Sequence, residues 1–295
     1  MKPGNRMDLF GATALTGFAL LMSSHQVAIK ITNGGFAPVF AAGLRGIVAM
    51  LCVGVWVAAQ GQGFGLSRRH LPAFLLAGGL FALEFIMIFT ALDHTSVARA
   101  SIIFYSMPVW LALVAHFVLP GEVLTSRRIL GLGLAMGGIA LALMDRDSGQ
   151  ASWFGDLAAL AAALSWGGIA LSLRLTSIRE MPAEAQLFWQ LVFSTPILLL
   201  VAWGQGEWLR APQAMHVAGL LYQGVVLVSF GYILWYALIK LYSASGVASF
   251  SFLSPVFSVL LGWIVLSEQI NPTIWVALVL VAVGLILLNR QRARG

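Results

Sequence analysis

Residues 101–122, SIIFYSMPVWLALVAHFVLPGE, form an apolar run of membrane-spanning length with Pro108 near its centre. Residues 249–268, SFSFLSPVFSVLLGWIVLSE, repeat this plan with Pro255. Proline lacks a backbone N–H and bends or breaks a helix, so it is an unfavourable residue inside such a segment. Its recurrence half a chain later indicates that the sequence contains two related halves.

The composition of the whole chain agrees with a protein embedded in lipid. Of its 295 residues 60% are hydrophobic and 9% are charged, and the mean hydropathy is +0.91. A soluble protein carries about 25% charged residues, because its surface faces water. The chain is therefore predicted to be an all-α polytopic membrane protein that contacts the lipid bilayer.

Ten segments have the length of about 20 mostly apolar residues that a membrane helix needs. They must be helical, because a backbone in lipid has to satisfy its own hydrogen bonds. Lys2 and Arg6 precede the first segment, but no convincing cleavage site follows it, so we expect it to be retained. The segments are 9–29, 37–58, 71–92, 97–118, 129–144, 153–173, 184–203, 214–236, 246–266 and 273–289.

Positive charges predict the orientation of these helices. With the N-terminus in the cytoplasm, only Lys30, Arg99, Arg146 and Arg210 fall outside, and Arg45 lies within a helix. The remaining lysines and arginines fall inside, as the positive-inside rule requires. Both termini are therefore predicted to be cytoplasmic. The same placement explains the net charge of +6 without a nucleic-acid partner.

Further matches between the halves occur at a nearly constant offset. If each half has five helices, an odd number, the second copy is inverted relative to the first, which is a common plan of secondary transporters. We therefore predict two inverted repeats, residues 1–147 and 148–295. The matched pairs include Phe10-Gly11 with Phe154-Gly155, Pro38 with Pro182, Pro108 with Pro255, and Glu122 with Glu268.

These features resemble the drug/metabolite transporter superfamily, and within it the EamA-type exporters of bacteria. The resemblance is carried by the ten segments and by two motifs, one from Ala98 through Met107-Pro108-Val109 to Pro120-Gly121-Glu122, the other from Val247-Ala248 through Ser254-Pro255-Val256 to Ser267-Glu268. It implies export across the bacterial inner membrane. The chain is similar to amino-acid exporters, including an aromatic amino-acid exporter, which implies amino acids as the small-molecule substrate.

Arg45 and Glu84 are the two charged residues predicted to lie deep in the membrane. Each is eight residues from the outer end of its helix, a depth of about 12 Å. A membrane-embedded charge costs about 2.5–3.5 kcal/mol on insertion scales, so it needs a partner or a function. The two could form a structural ion pair, could bind the carboxylate and ammonium groups of a zwitterion, or Glu84 could carry a proton.

Other polar and aromatic residues are candidates for the substrate cavity between the repeats. His25 lies in the polar stretch Ser-Ser-His-Gln, and Tyr105 and Trp166 could stack on an aromatic substrate. Gln190 stands in the second half. Pro108 and Pro255 are predicted to form bends near the centre of the membrane that serve alternating access.

The sequence gives little support to other mechanisms. It has no phosphate-binding loop and no HExxH motif, so an ATP-driven pump and a zinc protease are not predicted. We expect no catalytic residues, cofactor or metal. A membrane-embedded enzyme remains a weak alternative, and export of other metabolites or drugs a stronger one. Cys52 is the single cysteine, and the sequence leaves open a monomer or a homodimer.

Overall fold

The computed structural model describes residues 9–61, 63–119, 123–146, 151–231, 234, 238, 241–242, 250 and 252–289. Within these residues the regular structure is helical, apart from one isolated antiparallel bridge between Phe36 and Leu209. A 3-10 turn spans Ser177–Glu180, and a π-helical segment, Tyr222–Phe230, continues α9 without a break. The α-helices are α1 (Leu9–Asn33), α2 (Pro38–Ala59), α3 (Leu71–His94), α4 (Val97–Phe104), α5 (Met107–Val118), α6 (Ser126–Met144), α7 (Trp153–Leu175), α8 (Ala183–Gln205), α9 (Ala214–Leu221), α10 (Leu253–Leu266) and α11 (Pro272–Asn289).

Among the described residues, eight spans are long and apolar enough to cross a membrane, with α4 and α5 together forming one span, Val97–Val118. Two shorter apolar helices, Ala214–Phe230 and Leu253–Leu266, lie where the eighth and ninth segments were predicted. The predicted termini, and parts of these two segments, lie outside the described residues. The chain is therefore a multi-pass, all-helical membrane protein.

The outer surface of the bundle is apolar, as expected of a surface in contact with lipid. Large apolar side chains point away from the protein along most helices, for example Phe117, Trp203 and Val55, each at least 70% exposed. A protein with such a surface would aggregate in water, whereas the apolar lipid tails of a bilayer solvate it. Charged side chains are correspondingly concentrated near helix ends and in the interior.

Local sequence signals set the helix boundaries. Ser96, Thr125 and Ser152 are N-caps whose hydroxyls accept hydrogen bonds from backbone N–H groups at the starts of α4, α6 and α7. Pro38 begins α2, where its missing N–H costs nothing. Gly206, with φ of 72°, ends α8 in the left-handed conformation that glycine adopts most easily.

The helices pack in pairs that each join the first half of the chain to the second. The most extensive contacts are α6 with α11, α3 with α7, α2 with α8, α1 with α10, and α3 with α8. The main apolar core lies where α1, α2, α3, α4, α7 and α8 meet.

Helices α6 and α11 approach each other closely through small residues. A Cβ added to Gly131 would lie 2.8 Å from the Gly284 carbonyl oxygen, and one added to Gly138 would lie 2.7 Å from the Ala277 carbonyl oxygen. Glycine is therefore required by the packing at both positions. Gly133 and Gly137 of α6 also have the GxxxG spacing that permits close helix packing. They do not take part in this contact, because an added Cβ at either position meets no atom within 4 Å.

Candidate functional site

A buried cluster of His25, Arg45 and Phe85 joins α1, α2 and α3. The Nη1 atom of Arg45 lies 3.3 Å from Nε2 of His25. The guanidinium carbon of Arg45 lies 3.7 Å from the centre of the Phe85 ring, a cation–π contact. His25 also meets Phe85 edge to face, with ring centroids 6.3 Å apart. Phe85 therefore holds the two predicted site residues together, although the sequence marked only its neighbour Glu84.

Arg45 is 1% exposed, yet its guanidinium is only partly hydrogen-bonded. Its Nε and Nη2 atoms have no hydrogen-bond partner in the structure. Glu84, on α3, is 6% exposed and interacts electrostatically with Arg45, but the two side chains form no salt bridge. The direct ion pair considered from the sequence is therefore not formed. The sequence predicted only that Arg45 and Glu84 lie at the same depth in the membrane. In the structure, α2 is rotated so that Arg45 contacts His25 and Phe85.

The polar stretch of α1 contacts the second half of the chain. Ser23 donates a hydrogen bond to the carbonyl of Ser254 on α10 at 2.9 Å. The hydroxyls of Ser24 and Tyr222 lie 2.7 Å apart. Ser258 lies one turn beyond Ser254, and its hydroxyl faces the Ser23 carbonyl at 3.5 Å. This part of α1 is therefore a polar seam between the halves.

Two of the aromatic candidates lie together beside this seam. The Tyr105 hydroxyl lies 3.5 Å from the Met22 carbonyl oxygen. Trp166, on α7, stacks on Phe104 with ring centroids 5.0 Å apart and meets Tyr105 edge to face at 6.3 Å. Tyr105 and Trp166 are both partly exposed.

Gln190 lies apart from the other candidates. Its amide donates a hydrogen bond to the Gln186 carbonyl in its own helix at 3.2 Å, and its side chain is buried on α8. The structure shows no hydrogen bond from Gln190 to the His25 cluster. A different glutamine, Gln223, connects the halves, because its amide donates to the Thr32 hydroxyl at 2.8 Å.

Both candidate prolines lie in the first turn of a helix. The fourth span breaks at Tyr105 and Ser106, and Pro108 is the second residue of α5. Because Pro108 has no N–H for the Phe104 carbonyl, the α-helical ladder is interrupted there. The Ser106 hydroxyl accepts a hydrogen bond from the Trp110 indole at 3.0 Å just beyond the break. Pro255 is the third residue of α10.

A network of charges lies where α3, α6 and α10 end and α4 and α7 begin, which we call the ion-paired end. Arg99 and Asp156 are both 0% exposed. Arg99 donates to the two carboxylate oxygens of Asp156 from Nε at 3.3 Å and from Nη2 at 2.7 Å, and from Nη1 to the Asp145 carbonyl. Arg146 adds a second salt bridge to Asp156 at 2.8 Å. The charge pattern of the sequence placed Arg99 on the outer side of the membrane, but Asp156, far away in sequence, holds it inside the bundle.

Glu268 makes a second connection at the ion-paired end. Its carboxylate accepts hydrogen bonds from the backbone N–H groups of Val97 at 2.6 Å and Ala98 at 3.1 Å. These are free donors at the start of α4, where the helix dipole also favours a negative charge. Glu268 is 5% exposed. The second half of the chain thus caps a helix of the first half.

A third connection at this end joins Arg210 to Asp93. Nη1 of Arg210 donates to the two carboxylate oxygens at 2.8 and 3.0 Å. This hydrogen bonding raises the pKa of the Arg210 guanidinium above its ordinary value. Nearby, the Ala37 N–H donates to the Trp208 carbonyl at 3.0 Å. The salt bridges that join two described residues all lie at the ion-paired end.

Among the described residues, no group of three His, Cys, Asp or Glu side chains is placed to hold a metal ion. The arrangement instead offers a buried cation with free donors, a buried carboxylate and aromatic rings. These are groups that bind a small molecule with charged and apolar parts.

Comparisons with known proteins agree with this description. The model of the EamA-like transporter family matches twice, over residues 9–144 and 153–290. An uncharacterized transporter, YoaV, of Bacillus subtilis (strain 168) is 24% identical over 88% of this chain and 89% of its own length. A probable amino-acid metabolite efflux pump of Escherichia coli (strain K12) is 27% identical over 88% of each chain. A solved structure described only as a crystal structure of protein superposes with a TM-score of 0.68 at 21% identity, over 95% of this chain and 97% of that chain.

Proposed function

The chain belongs to the EamA-like transporter family, and on that premise we propose that it is a secondary exporter of amino acids. It moves neutral amino acids, including aromatic ones, out across the inner membrane of a bacterium. Ten helices form two inverted five-helix repeats, residues 1–147 and 148–295, and substrate passes between them by alternating access. The N- and C-termini lie in the cytoplasm, so the ion-paired end faces the periplasm.

The pattern of helix packing supports the repeat. Exchanging the halves pairs α1 with α7, α2 with α8, α3 with α9 and its π-helical segment, the α4–α5 span with α10, and α6 with α11. Under this exchange the contact of α3 with α7 corresponds to that of α9 with α1, and α1 with α10 to α7 with α4 and α5. The contacts α2 with α8, α6 with α11 and α4 with α10 correspond to themselves. The two successive matches of the family model support the same division.

The observation that carries the proposed function is the buried, incompletely bonded charge of Arg45, whose partner His25 adjoins the polar stretch of α1 that contacts the second half. A structural charge would be fully paired, because burying an unpaired one costs several kcal/mol. Arg45 keeps two donors free, with His25 beside it, Glu84 on α3, and Tyr105 and Trp166 in contact with each other next to α1. This set suits a zwitterion with an apolar or aromatic side chain.

The conformation described here corresponds to a state closed toward the periplasm. The contacts Arg99–Asp156, Glu268–Val97 and Arg210–Asp93 all join the halves at the ion-paired end. In alternating access these contacts separate while the opposite end closes. The break before Pro108 and the first turn of α10, which contains Pro255, are the points about which the fourth and ninth segments bend.

Export of other metabolites or drugs is the second candidate, because the relatives' names do not fix a substrate at these identities. Within the described residues the site has a single charged pair and several aromatic rings, which favours amino acids over strongly anionic or bulky compounds. A membrane-embedded enzyme with His25, Arg45 and Glu84 as its catalytic group is disfavoured, since the relatives are named as transporters.

Counterflow tests the proposal. Purified protein is reconstituted in liposomes loaded with an unlabelled amino acid, and uptake of labelled phenylalanine, tryptophan, threonine and methionine is measured. We expect saturable uptake of at least one labelled amino acid that requires the internal one. A folded protein that exchanges none of them refutes the amino-acid assignment. Uptake that does not saturate and needs no internal amino acid indicates a channel.

A further inference from the structure

We propose that the Nε and Nη2 edge of Arg45 binds the carboxylate of the exported molecule and thereby selects substrates that carry one. This inference rests on the proposed function as an exporter and identifies the group that the site recognises. It follows from a comparison of two arginines within the same structure.

Arg99 shows how a buried arginine of this protein binds a carboxylate. Its Nε and Nη2 atoms hold the two oxygens of Asp156, while Nη1 bonds to the backbone carbonyl of Asp145. The planar fork of the guanidinium matches the two carboxylate oxygens, which makes such pairs strong and specific. All three kinds of guanidinium nitrogen in Arg99 are thus used.

Arg45 repeats this arrangement, except that two of its guanidinium nitrogens have no hydrogen-bond partner. Its Nη1 atom is engaged by His25 at 3.3 Å, just as Nη1 of Arg99 is engaged by a fixed acceptor. Nε and Nη2, the atoms that hold the carboxylate at Arg99, are the two that have no partner. The Phe85 ring lies 3.7 Å from the guanidinium carbon and packs against the fork. Two buried donors of Arg45 thus lack the carboxylate that the same atoms hold at Arg99.

Among the described residues, no carboxylate side chain forms a salt bridge with Arg45 that a substrate carboxylate would have to displace. Glu84 interacts with Arg45 electrostatically but forms no salt bridge with it. Guanidinium remains protonated in proteins, so the charge cannot be removed by losing a proton. An anion that enters the site satisfies both donors and the charge together. Glu84 then remains available for the ammonium group of the same substrate.

The test compares four small molecules that share a benzyl group. Phenylalanine carries both charges, phenylpropanoate only the carboxylate, and phenylalaninamide and phenethylamine only the ammonium. Their binding to the purified wild-type protein is measured as stabilisation against thermal unfolding. We expect phenylalanine and phenylpropanoate to reach half-saturation at concentrations at least about tenfold below those of the two amines, because a bidentate pair is lost with the carboxylate.

Variants locate the preference at Arg45. Arg45→Gln is expected to abolish it, and Arg45→Lys to reduce it, because lysine keeps the charge but loses the fork. Arg69→Gln removes an exposed arginine and is the matched control, with the preference unchanged. If the Arg45 variants do not fold, the wild-type series still tests the proposal, because equal half-saturation by phenylalanine and the two amines refutes it.

The outcomes separate this inference from the exporter proposal. Equal half-saturation by phenylalanine and phenylalaninamide overturns the role of Arg45, and so does an undiminished preference in Arg45→Gln. Counterflow of amino acids is measured independently and decides the transport function. If no amino acid exchanges but phenylpropanoate still binds better than the amines, and Arg45→Gln abolishes this preference, Arg45 remains the carboxylate receptor and the amino-acid assignment is wrong.

Discussion

Glu268→Gln is expected to open the ion-paired end. The carboxylate accepts two backbone hydrogen bonds at the start of α4, from Val97 at 2.6 Å and from Ala98 at 3.1 Å. A glutamine has one oxygen, so it accepts one of them and turns an NH2 group toward the other donor. One charge-assisted bond is lost, and one buried N–H is left without a partner.

The cost follows from these two losses. A hydrogen bond to a charged group contributes about 1.5–3 kcal/mol, and an unsatisfied buried donor costs about 1–3 kcal/mol. Because such terms do not add fully, we take about 3 kcal/mol as the loss borne by the periplasm-closed state, in which the cap is formed. That loss shifts the equilibrium toward the opposite state by about a hundredfold.

The shift is measured by the accessibility of a buried position beneath the cap. Ser101 lies one turn into α4 and is 0% exposed. In a Cys52→Ala background, Ser101→Cys is labelled from the periplasmic side with a membrane-impermeant maleimide. Labelling should be at least about tenfold faster with Glu268→Gln, because the open population rises.

Glu207→Gln is the control for this experiment. Glu207 also carries a negative charge that contacts the ion-paired end, but its side chain is 71% exposed and it pairs with Arg210 of the same loop at 3.4 Å. Its neutralisation should leave labelling unchanged. If labelling in folded Glu268→Gln equals that in the Glu207→Gln control, the cap does not hold the two halves together and the reasoning is refuted.

Three further predictions concern other parts of the account. Arg99→Gln should lower the free energy of unfolding by about 3–5 kcal/mol, because it leaves the buried Asp156 carboxylate with Arg146 alone, and an unchanged thermal midpoint would contradict this. Glu84→Gln should lower the transport rate without preventing membrane insertion. A normal rate and affinity in counterflow would show that the Glu84 carboxylate neither binds the substrate nor carries a proton. Pro108→Ala should slow exchange by restoring a backbone hydrogen bond across the break in the fourth span, and normal exchange in both Pro108→Ala and Pro255→Ala would make the prolines packing features only.

Much of the fold was predictable because lipid imposes simple rules on a sequence. The predicted segments 37–58 and 153–173 correspond to α2 (Pro38–Ala59) and α7 (Trp153–Leu175), within two residues at each end. Apolar length alone defines such helices, since no other structure satisfies the backbone in a bilayer. In the fourth span the sequence predicted only a bend near Pro108. A proline alone does not indicate that the helix is interrupted at the residues before it, Tyr105 and Ser106.

The site was less predictable, because its contacts depend on how each helix is rotated about its axis. Sequence places Arg45 and Glu84 at one depth, and from depth an ion pair is the simplest expectation. The structure turns Arg45 toward His25 and Phe85 instead. Arg99 and Asp156 are also paired across the halves, and neither hydropathy nor spacing connects two residues so far apart in sequence.

The most direct test of alternating access is a reversible cross-link across the ion-paired end. A Cβ built on Gly262 lies 3.3 Å from the Cβ of Val97, slightly less than the ~3.5–4.5 Å of a disulfide. It also lies 2.7 Å from a carboxylate oxygen of Glu268, so a cysteine at position 262 displaces this cap as well. In a Cys52→Ala background, oxidised Val97→Cys/Gly262→Cys protein should show no counterflow, and reductant should restore it. Each single-cysteine variant should exchange at the same rate with oxidant as with reductant. Full counterflow by the cross-linked protein would contradict the account, because substrate would then cross without the halves separating at this end.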